Sequence, residues 1–425
     1  MLHFAGISSG STKYFMITVN IRLLLLTAAS FGPYISDSPP IRLFNFLLYL
    51  LAAFALFRSI CTNGISLRKS NFPEILLLII LFSLVFSTLY SDNNLEWNRI
   101  IATFERVFCV LAAIFVLNSF GVPGPSTSLE IMSVFVFMLC LNTVLQLYQV
   151  FVGDIVFIQR YWFANGYESS TAFAAAGNGR FLGLFNQPLE LGFYVGLGFI
   201  FICGRSISNN KLLNSFAFVL LAIGGMISVS KVFLILGLGL GLFAFIFVRK
   251  NILTTLIWPA LFGVFLIAIL PIAFSNWAGY DYISRFFDVE SYSNIVAFGT
   301  AGRFGSETTD VMSSFADVWR FGPIFGYGLG SIRRLDNGFL EFFYQGGLVS
   351  LTLFLWLMFQ VFWKLSRTNS ANPDIKIGIV FLVYIFFANI GAPVLTMWAA
   401  VLPIWAVLLS GLYSSSALRS TSHIL

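Results

Sequence analysis

Charge is scarce in this chain of 425 residues. Asp, Glu, Lys and Arg together make up 10% of it, where an ordinary soluble domain has about 25%. Histidine is scarcer still: His3 and His423, both near chain ends, are the only two. An internal histidine base, a His-ligated metal and a Ser-His triad are therefore nearly excluded. The four cysteines, Cys61, Cys109, Cys140 and Cys203, lie in or beside apolar runs, with neither disulfide nor metal-site spacing between them. The formal charge of +6 is small for this length and by itself says little about nucleic acid, which is not expected as a partner. Internal repeats and low-complexity tracts are missing as well.

What the chain has instead is apolar length, with 58% of its residues hydrophobic. A hydrocarbon core about 30 Å thick needs about 20 apolar residues per helix. Twelve apolar segments are present, at 15–30, 41–60, 73–89, 100–120, 129–152, 181–203, 212–229, 232–248, 252–274, 338–363, 376–390 and 396–412. The expected fold is an all-α integral membrane protein of about twelve transmembrane helices with two long outside loops, the larger partly helical. The polar opening 1–13 leads into an apolar stretch without a small-residue cleavage site, which reads as a first membrane helix and not a removable leader. The chain divides into N-terminal helices (1–152), a first long loop (153–180), central helices (181–274), a large loop (275–337) and C-terminal helices (338–425). Only Gly391-Ala392-Pro393 separates the last two segments, which read either as two spans or as one re-entrant pair.

Orientation follows from Lys and Arg in the short loops. With the N-terminus cytoplasmic, Lys13, Arg68, Lys69, Arg205, Lys211, Arg249, Lys250, Lys364, Arg367 and Arg419 all fall inside, and so does the C-terminus. Asp37, Asp92, Glu96, Asp154 and Glu168 then fall outside. Of the lysines, Lys231 alone breaks the pattern.

The outside loops nevertheless carry arginine. The larger has Arg285, Arg303, Arg320, Arg333 and Arg334 and no lysine; Arg160 and Arg180 belong to the shorter. A guanidinium is permanently charged and its planar fork fits phosphate oxygens. Some of these arginines pair with Asp281, Asp288, Glu290, Glu307, Asp310 and Asp317 of the same loop; at least two are expected to face an anionic ligand. Residues 302–321 have helical spacing, with Val311, Met312, Phe315, Val318 and Trp319 on one face. Arg303, Glu307, Asp310 and Asp317 lie on the other, facing either a cavity or solvent. Gly322-Pro323 through Gly326, Gly328 and Gly330 reads as a chain reversal, or more weakly as a phosphate cradle. Asp336 stands before the tenth segment beside Arg333 and Arg334, placed either to cap the helix or to take a proton from a sugar hydroxyl.

Asn186, Gln187 and Glu190 lie inside an apolar segment, where polar groups usually face a cavity or a partner; a helix–helix hydrogen bond is the plainer alternative. Pro188 predicts a break or kink there. Gly237, Gly239 and Gly241 read as close helix packing and not as a nucleotide fingerprint.

Two stretches resemble a known family. Gly179-Arg180 followed by Gly183, Phe185-Asn186, Pro188 and Gly192 resembles the Arg-x-x-Gly-x-Phe-x-(x)-Pro motif of O-antigen polymerases and ligases. Ala301-Gly302-Arg303, Trp319, Pro323, Gly326, Gly328, Gly330 and Asp336-Asn337-Gly338 resemble the end of that family's large periplasmic loop. The resemblance covers residues 160–347; the first five helices match only in hydropathy. The ligase branch usually has a histidine where this chain has Asp336, which favours the polymerase branch. The resemblance implies a bacterial inner-membrane glycosyltransferase with its active site facing the periplasm. It would use undecaprenyl-diphosphate-linked oligosaccharides as donor and acceptor among membrane lipid, with a chain-length regulator protein among such an enzyme's partners. No metal or other cofactor is required by such a reaction. Arg180 and Arg303 would bind the diphosphate, supported by Arg333 or Arg334, with Arg160, Arg285, Arg320, Asn186, Gln187 and Asn337 as further substrate contacts. Asp336, or failing that Glu190 or Glu307, would deprotonate the acceptor hydroxyl.

Two rivals stand beside this expectation. A ligase would move the same glycan onto lipid A core. A transporter or flippase suits the helix count equally well, and the charges at Arg22, Glu105 and Arg106 are its best support, unless Glu105 and Arg106 pair locally and Arg22 snorkels.

Overall fold

The computed structural model describes residues 21–37, 40–62, 72–91, 97–120, 124–163, 166–248, 309–331, 337–368, 372–391, 393–394 and 397–422. The segment expected at 252–274 and the start of the helix expected at 302 lie outside these residues. The fold is all-α apart from one short hairpin. Helix α1 (21–29) is followed by strands β1 (Tyr34–Asp37) and β2 (Pro40–Arg42), paired antiparallel with an irregularity between Tyr34 and Ser36. Then come α2 (Leu43–Thr62), α3 (Phe72–Tyr90), α4 (Trp97–Ser119) and α5 (Pro125–Phe151). Two short helices, α6 (Val156–Tyr161) and α7 (Thr171–Gly177), fill the first long loop. The helices α8 (Pro188–Gly204) and α9 (Lys211–Ile227) follow, and a π-helical turn (Val232–Gly237) runs into α10 (Leu238–Val248). The chain continues with α11 (Thr309–Phe321), α12 (Gly338–Ser366), α13 (Pro373–Ala388) and α14 (Trp398–Ser422).

Four of these, α3, α4, α5 and α12, are long and apolar enough to cross a membrane, and several shorter helices are equally apolar. The pattern on α3 shows what surrounds the bundle. Ile75, Leu78, Ile79, Phe82, Phe86 and Leu89 recur at helical spacing on its exposed face, with Phe82 74% and Leu89 81% exposed. Leu76, Leu77, Ile80, Leu81 and Leu84 fill the opposite, buried face. A helix apolar on both faces belongs in hydrocarbon, so the helix composition is that of a multi-pass membrane protein.

Helix α8 is the axis of the bundle. Every residue from Glu190 to Gly204 is buried, and α5, α9, α10 and α13 pack around it. With lipid outside, close packing and internal hydrogen bonds hold such helices together. Gly196 lets Tyr384 of α13 lie against the α8 backbone, where its hydroxyl donates to the Gly192 and Phe193 carbonyls at 3.2 and 3.3 Å. The expected close packing at Gly237 and Gly241 is present, against Gly196 and Phe199 respectively, whereas Gly239 has open space around it.

The bundle has two polar ends. At one, Asp374, which opens α13 and is 0% exposed, accepts from Arg205 at 2.5 Å, from Ser410 at 2.6 Å and from Ser128. The other end holds the start of α8.

Two expectations about helix limits need correction, and one left open is decided. The sixth segment is not helical from 181. Residues 181–187 are non-helical because Gly183 takes φ +62° and Pro188 is the first helical residue, where its missing N–H has no partner to lose. The tenth segment is interrupted at Gly347 (φ 61°, ψ −160°). The last two segments are separate helices that run the length of the bundle, α13 joining the Asp374 end to Asn389 at the other.

The Gly347 break explains the glycine-rich turn. Tyr327 and Gly328 donate to the Tyr344 and Gln345 carbonyls, while Leu348 and Val349 donate to the Pro323 and Ile324 carbonyls. The turn thus docks in the gap of α12 and satisfies backbone groups that the helix leaves open. Leu329 N donates to Thr88 Oγ1 of α3 at 2.8 Å, which fixes its far side. The turn is a chain reversal locked between α3 and α12.

Candidate functional site

The non-helical segment 181–187 lies inside the bundle, where each bare backbone group needs a partner. Helix α5 supplies them. Asn142, Gln146 and Gln149 are buried on it at spacings of four and three residues, hence on one face. Asn142 accepts from Leu184 N at 2.8 Å and donates to Leu182 O at 3.4 Å. Gln146 donates to Phe181 O at 2.7 Å and Gly224 O at 3.1 Å, and Gln149 accepts from Gly183 N at 2.9 Å.

This scaffold positions Arg180. Its backbone follows Gly179 (φ +71°). Its guanidinium donates through Nε to Ser228 O at 3.4 Å and through Nη2 to Val229 O at 3.1 Å. Those carbonyls belong to the joint between α9 and the π-turn, where Val229 takes a positive φ of 46°, unusual for a β-branched residue. Strain and π-turns of this kind recur at functional sites. Ser230 of the same joint sits on Gly192, in the second turn of α8.

Glu190 is in the first turn of α8, 8% exposed, and accepts from Tyr194 Oη at 3.1 Å. Gln187 is the N-cap residue, but its side chain makes no cap hydrogen bond. Asn186 Oδ1 accepts from Ala172 N of α7 at 3.4 Å. Asn337, 5% exposed, caps α12 by accepting from Leu340 N at 3.0 Å. Beside it, Asn389 is buried with Nδ2 lacking a partner.

Arg180, Asn186, Gln187 and Glu190 are therefore brought together at the head of α8. Arg160 lies apart on α6, stacked over Tyr161, and lines a surface cavity of about 650 Å3 with Asp154, Gln159, Tyr167, Glu168 and Phe173. Burial and the Asp154 carboxylate, 2.9 Å away, push the Tyr167 phenol up, so it stays a neutral donor. Arg320 is exposed in the last turn of α11, a helix that packs on α12 through Val318 and Phe315; no described contact joins it to Arg180. Asp336, Arg303, Arg285, Arg333, Arg334 and Glu307 lie outside the described residues. Among the described residues no group of three or more His, Cys, Asp or Glu side chains is arranged to hold a metal ion.

The charges that supported a transporter have local partners. Glu105 accepts from Asn45 and from Tyr49 at 3.1 Å. Arg106 pairs with Glu341 of α12 at 2.6 Å. Arg22 is exposed and lies over Phe54 and Phe120.

One residue at this end escaped the sequence reading. Arg42, which ends β2 and immediately precedes α2, is 4% exposed, with its guanidinium 3.7 Å from the Trp398 ring centre and 4.3 Å from that of Tyr34. In the sequence Arg42 is only a cation at the edge of an apolar run. The polar row of α5 did leave a signal, since three amides at one-face spacing interrupt an otherwise apolar helix.

The fold and this site define a multi-pass membrane protein whose central helix begins inside the bundle behind a non-helical, side-chain-supported segment carrying an arginine. No protein-family model matches the chain, and no curated protein is significantly similar to it in sequence.

Proposed function

We propose that the chain is a polysaccharide polymerase of the bacterial inner membrane, with both termini cytoplasmic, about twelve transmembrane helices and its active site at the periplasmic face. It transfers a growing glycan from undecaprenyl diphosphate to the non-reducing end of another lipid-linked repeat unit. The observation that carries this reading is the fixing of Arg180: two backbone carbonyls at the α9–π-turn joint orient its guanidinium. In the transfer, the bond between the sugar C1 and the phosphate oxygen breaks and a bond from C1 to the acceptor hydroxyl oxygen forms. Negative charge grows on the departing diphosphate, and a preorganised cation in a site poor in water stabilises it. The hydroxyl proton passes to a carboxylate. Asp336 is the first choice from the sequence, and Glu190, buried at the head of α8 near Arg180, supports the second. Arg303 is the expected second cation.

The test is polymer formation by the purified protein from lipid-linked repeat units. Arg180→Ala should abolish chain growth while the protein still folds; full-length polymer from that variant removes Arg180 from the mechanism.

A transporter or flippase is the second reading, favoured by the interruption of α12 at Gly347, since discontinuous helices line many substrate paths. Release of labelled lipid-linked unit to the opposite leaflet of a vesicle, without chain growth, would select it.

A further inference from the structure

We propose that Arg42 is an oxyanion-binding residue that receives a phosphate group at the same end of the bundle as Arg180. The inference deepens the polymerase reading and rests on it for the identity of the lipid; the anion site itself stands on the geometry of Arg42.

The guanidinium carbon lies 3.7 Å from the Trp398 ring centre and 4.3 Å from that of Tyr34. The group carries five N–H donors. No hydrogen bond or ion pair ties them to another described residue, although only 4% of Arg42 is exposed. A buried cation without an anionic partner is costly, and ring contact offsets only part of that cost. Among the described acids at this end, Glu341 pairs with Arg106, Asp154 accepts from Tyr167 and Glu190 accepts from Tyr194; none of the three forms an ion pair with Arg42.

The surroundings deepen the deficit of negative charge. Arg42 immediately precedes the first residue of α2, Trp398 is the first residue of α14, and Glu190 lies in the first turn of α8. The starts of α2 and α14 therefore meet at this guanidinium, each with the positive end of its dipole and first-turn amides outside the helical ladder. Such an arrangement is complete when an anion sits in it, and a phosphate suits both the guanidinium fork and the amides. Access is available at the rim, because Tyr34 and Trp398 are only half-buried. The hairpin β1–β2 and the bond from Leu43 N to Pro33 O at 3.1 Å hold Arg42 in register with the head of α2.

The experiment uses the full chain in detergent, with thermal unfolding followed against inorganic pyrophosphate, farnesyl diphosphate and, as a neutral control, farnesol. Wild type should be stabilised by a diphosphate and not by farnesol. Arg42→Met should weaken the apparent affinity by about 30-fold or more, the loss typical of removing one partner from a buried charged hydrogen bond. Arg42→Lys keeps a charge for folding but lacks the fork, and should bind more weakly than wild type. Dependence on Arg42 with both diphosphates identifies a site for the phosphate group alone; dependence with farnesyl diphosphate only identifies a lipid-borne phosphate. Undiminished affinity in either variant, or no stabilisation of wild type by either diphosphate, overturns the proposal. Arg42-dependent binding in a protein that forms no polymer from lipid-linked units leaves the anion site standing and removes the polymerase reading.

Discussion

Asn142 on α5 accepts the backbone amide of Leu184 at 2.8 Å, and through this bond a helix supports a segment that is not one. The same side chain donates to the Leu182 carbonyl. Asn142→Leu leaves both groups without these partners inside the bundle. Stability should fall by about 1–3 kcal/mol, the penalty for an unsatisfied buried polar group. Thermal unfolding in detergent measures it. The fall should exceed the roughly 0.6 kcal/mol average for interhelical hydrogen bonds in membranes, because backbone groups are stranded. A variant as stable as wild type would mean that segment 181–187 does not depend on the α5 row.

Gly347 and Gly239 form a matched pair of probes. Gly347 has φ 61° and ψ −160°, and an added Cβ would meet the Ile324 carbonyl. Gly347→Ala should therefore lower stability by about 2 kcal/mol or more and free the glycine-rich turn from α12. Gly239 lies in a helix, and a Cβ added there would find nothing within 4 Å. At that position alanine should raise stability by about 0.5–1 kcal/mol. Equal effects at the two sites would contradict the break in α12.

Much of this was legible before the structure. Apolar length gave the helices, because a membrane core imposes one scale on all of them. Arg180 stood out since a fixed cation beside Gly179 at the edge of an apolar run needs a reason. The supporting shell was harder to read. Asn142, Gln146 and Gln149 have no partner in their own stretch of chain; they bond to residues from Phe181 to Leu184 and to Gly224, and only folding brings these near. Arg42 was hidden by position, since a cation at the end of a span ordinarily faces water or headgroups. Pro188 predicted a break or a kink, and the structure has the break, with proline at the first helical position. The pairing of the glycine-rich turn with Tyr344–Val349 depended on the Gly347 break, which the apolar pattern of α12 conceals.

At the opposite end, Asp374 should behave as a structural acid. It is 0% exposed and accepts from Arg205, Ser128 and Ser410. Arg205→Ala would leave a buried carboxylate without its cation, and stability should fall by about 3–5 kcal/mol. The double change Arg205→Met with Asp374→Leu should lose less than Arg205→Ala alone, because removing both charges also removes the desolvation penalty. Thermal unfolding of the three proteins decides it, and a double variant weaker than the single one would show that the pair is net stabilising.

The polymerase proposal turns on the charge that Arg180 holds at the head of α8. Its most direct measurement is the rate of chain extension by purified protein on lipid-linked repeat units, wild type against Arg180→Ala and Arg180→Lys, with folding checked by thermal unfolding. Loss of one preorganised charge-stabilising group from an active site lowers turnover by about 100- to 1000-fold, so folded Arg180→Ala should fall by that factor, with Arg180→Lys between it and wild type. Wild-type rates from folded Arg180→Ala would contradict the proposal.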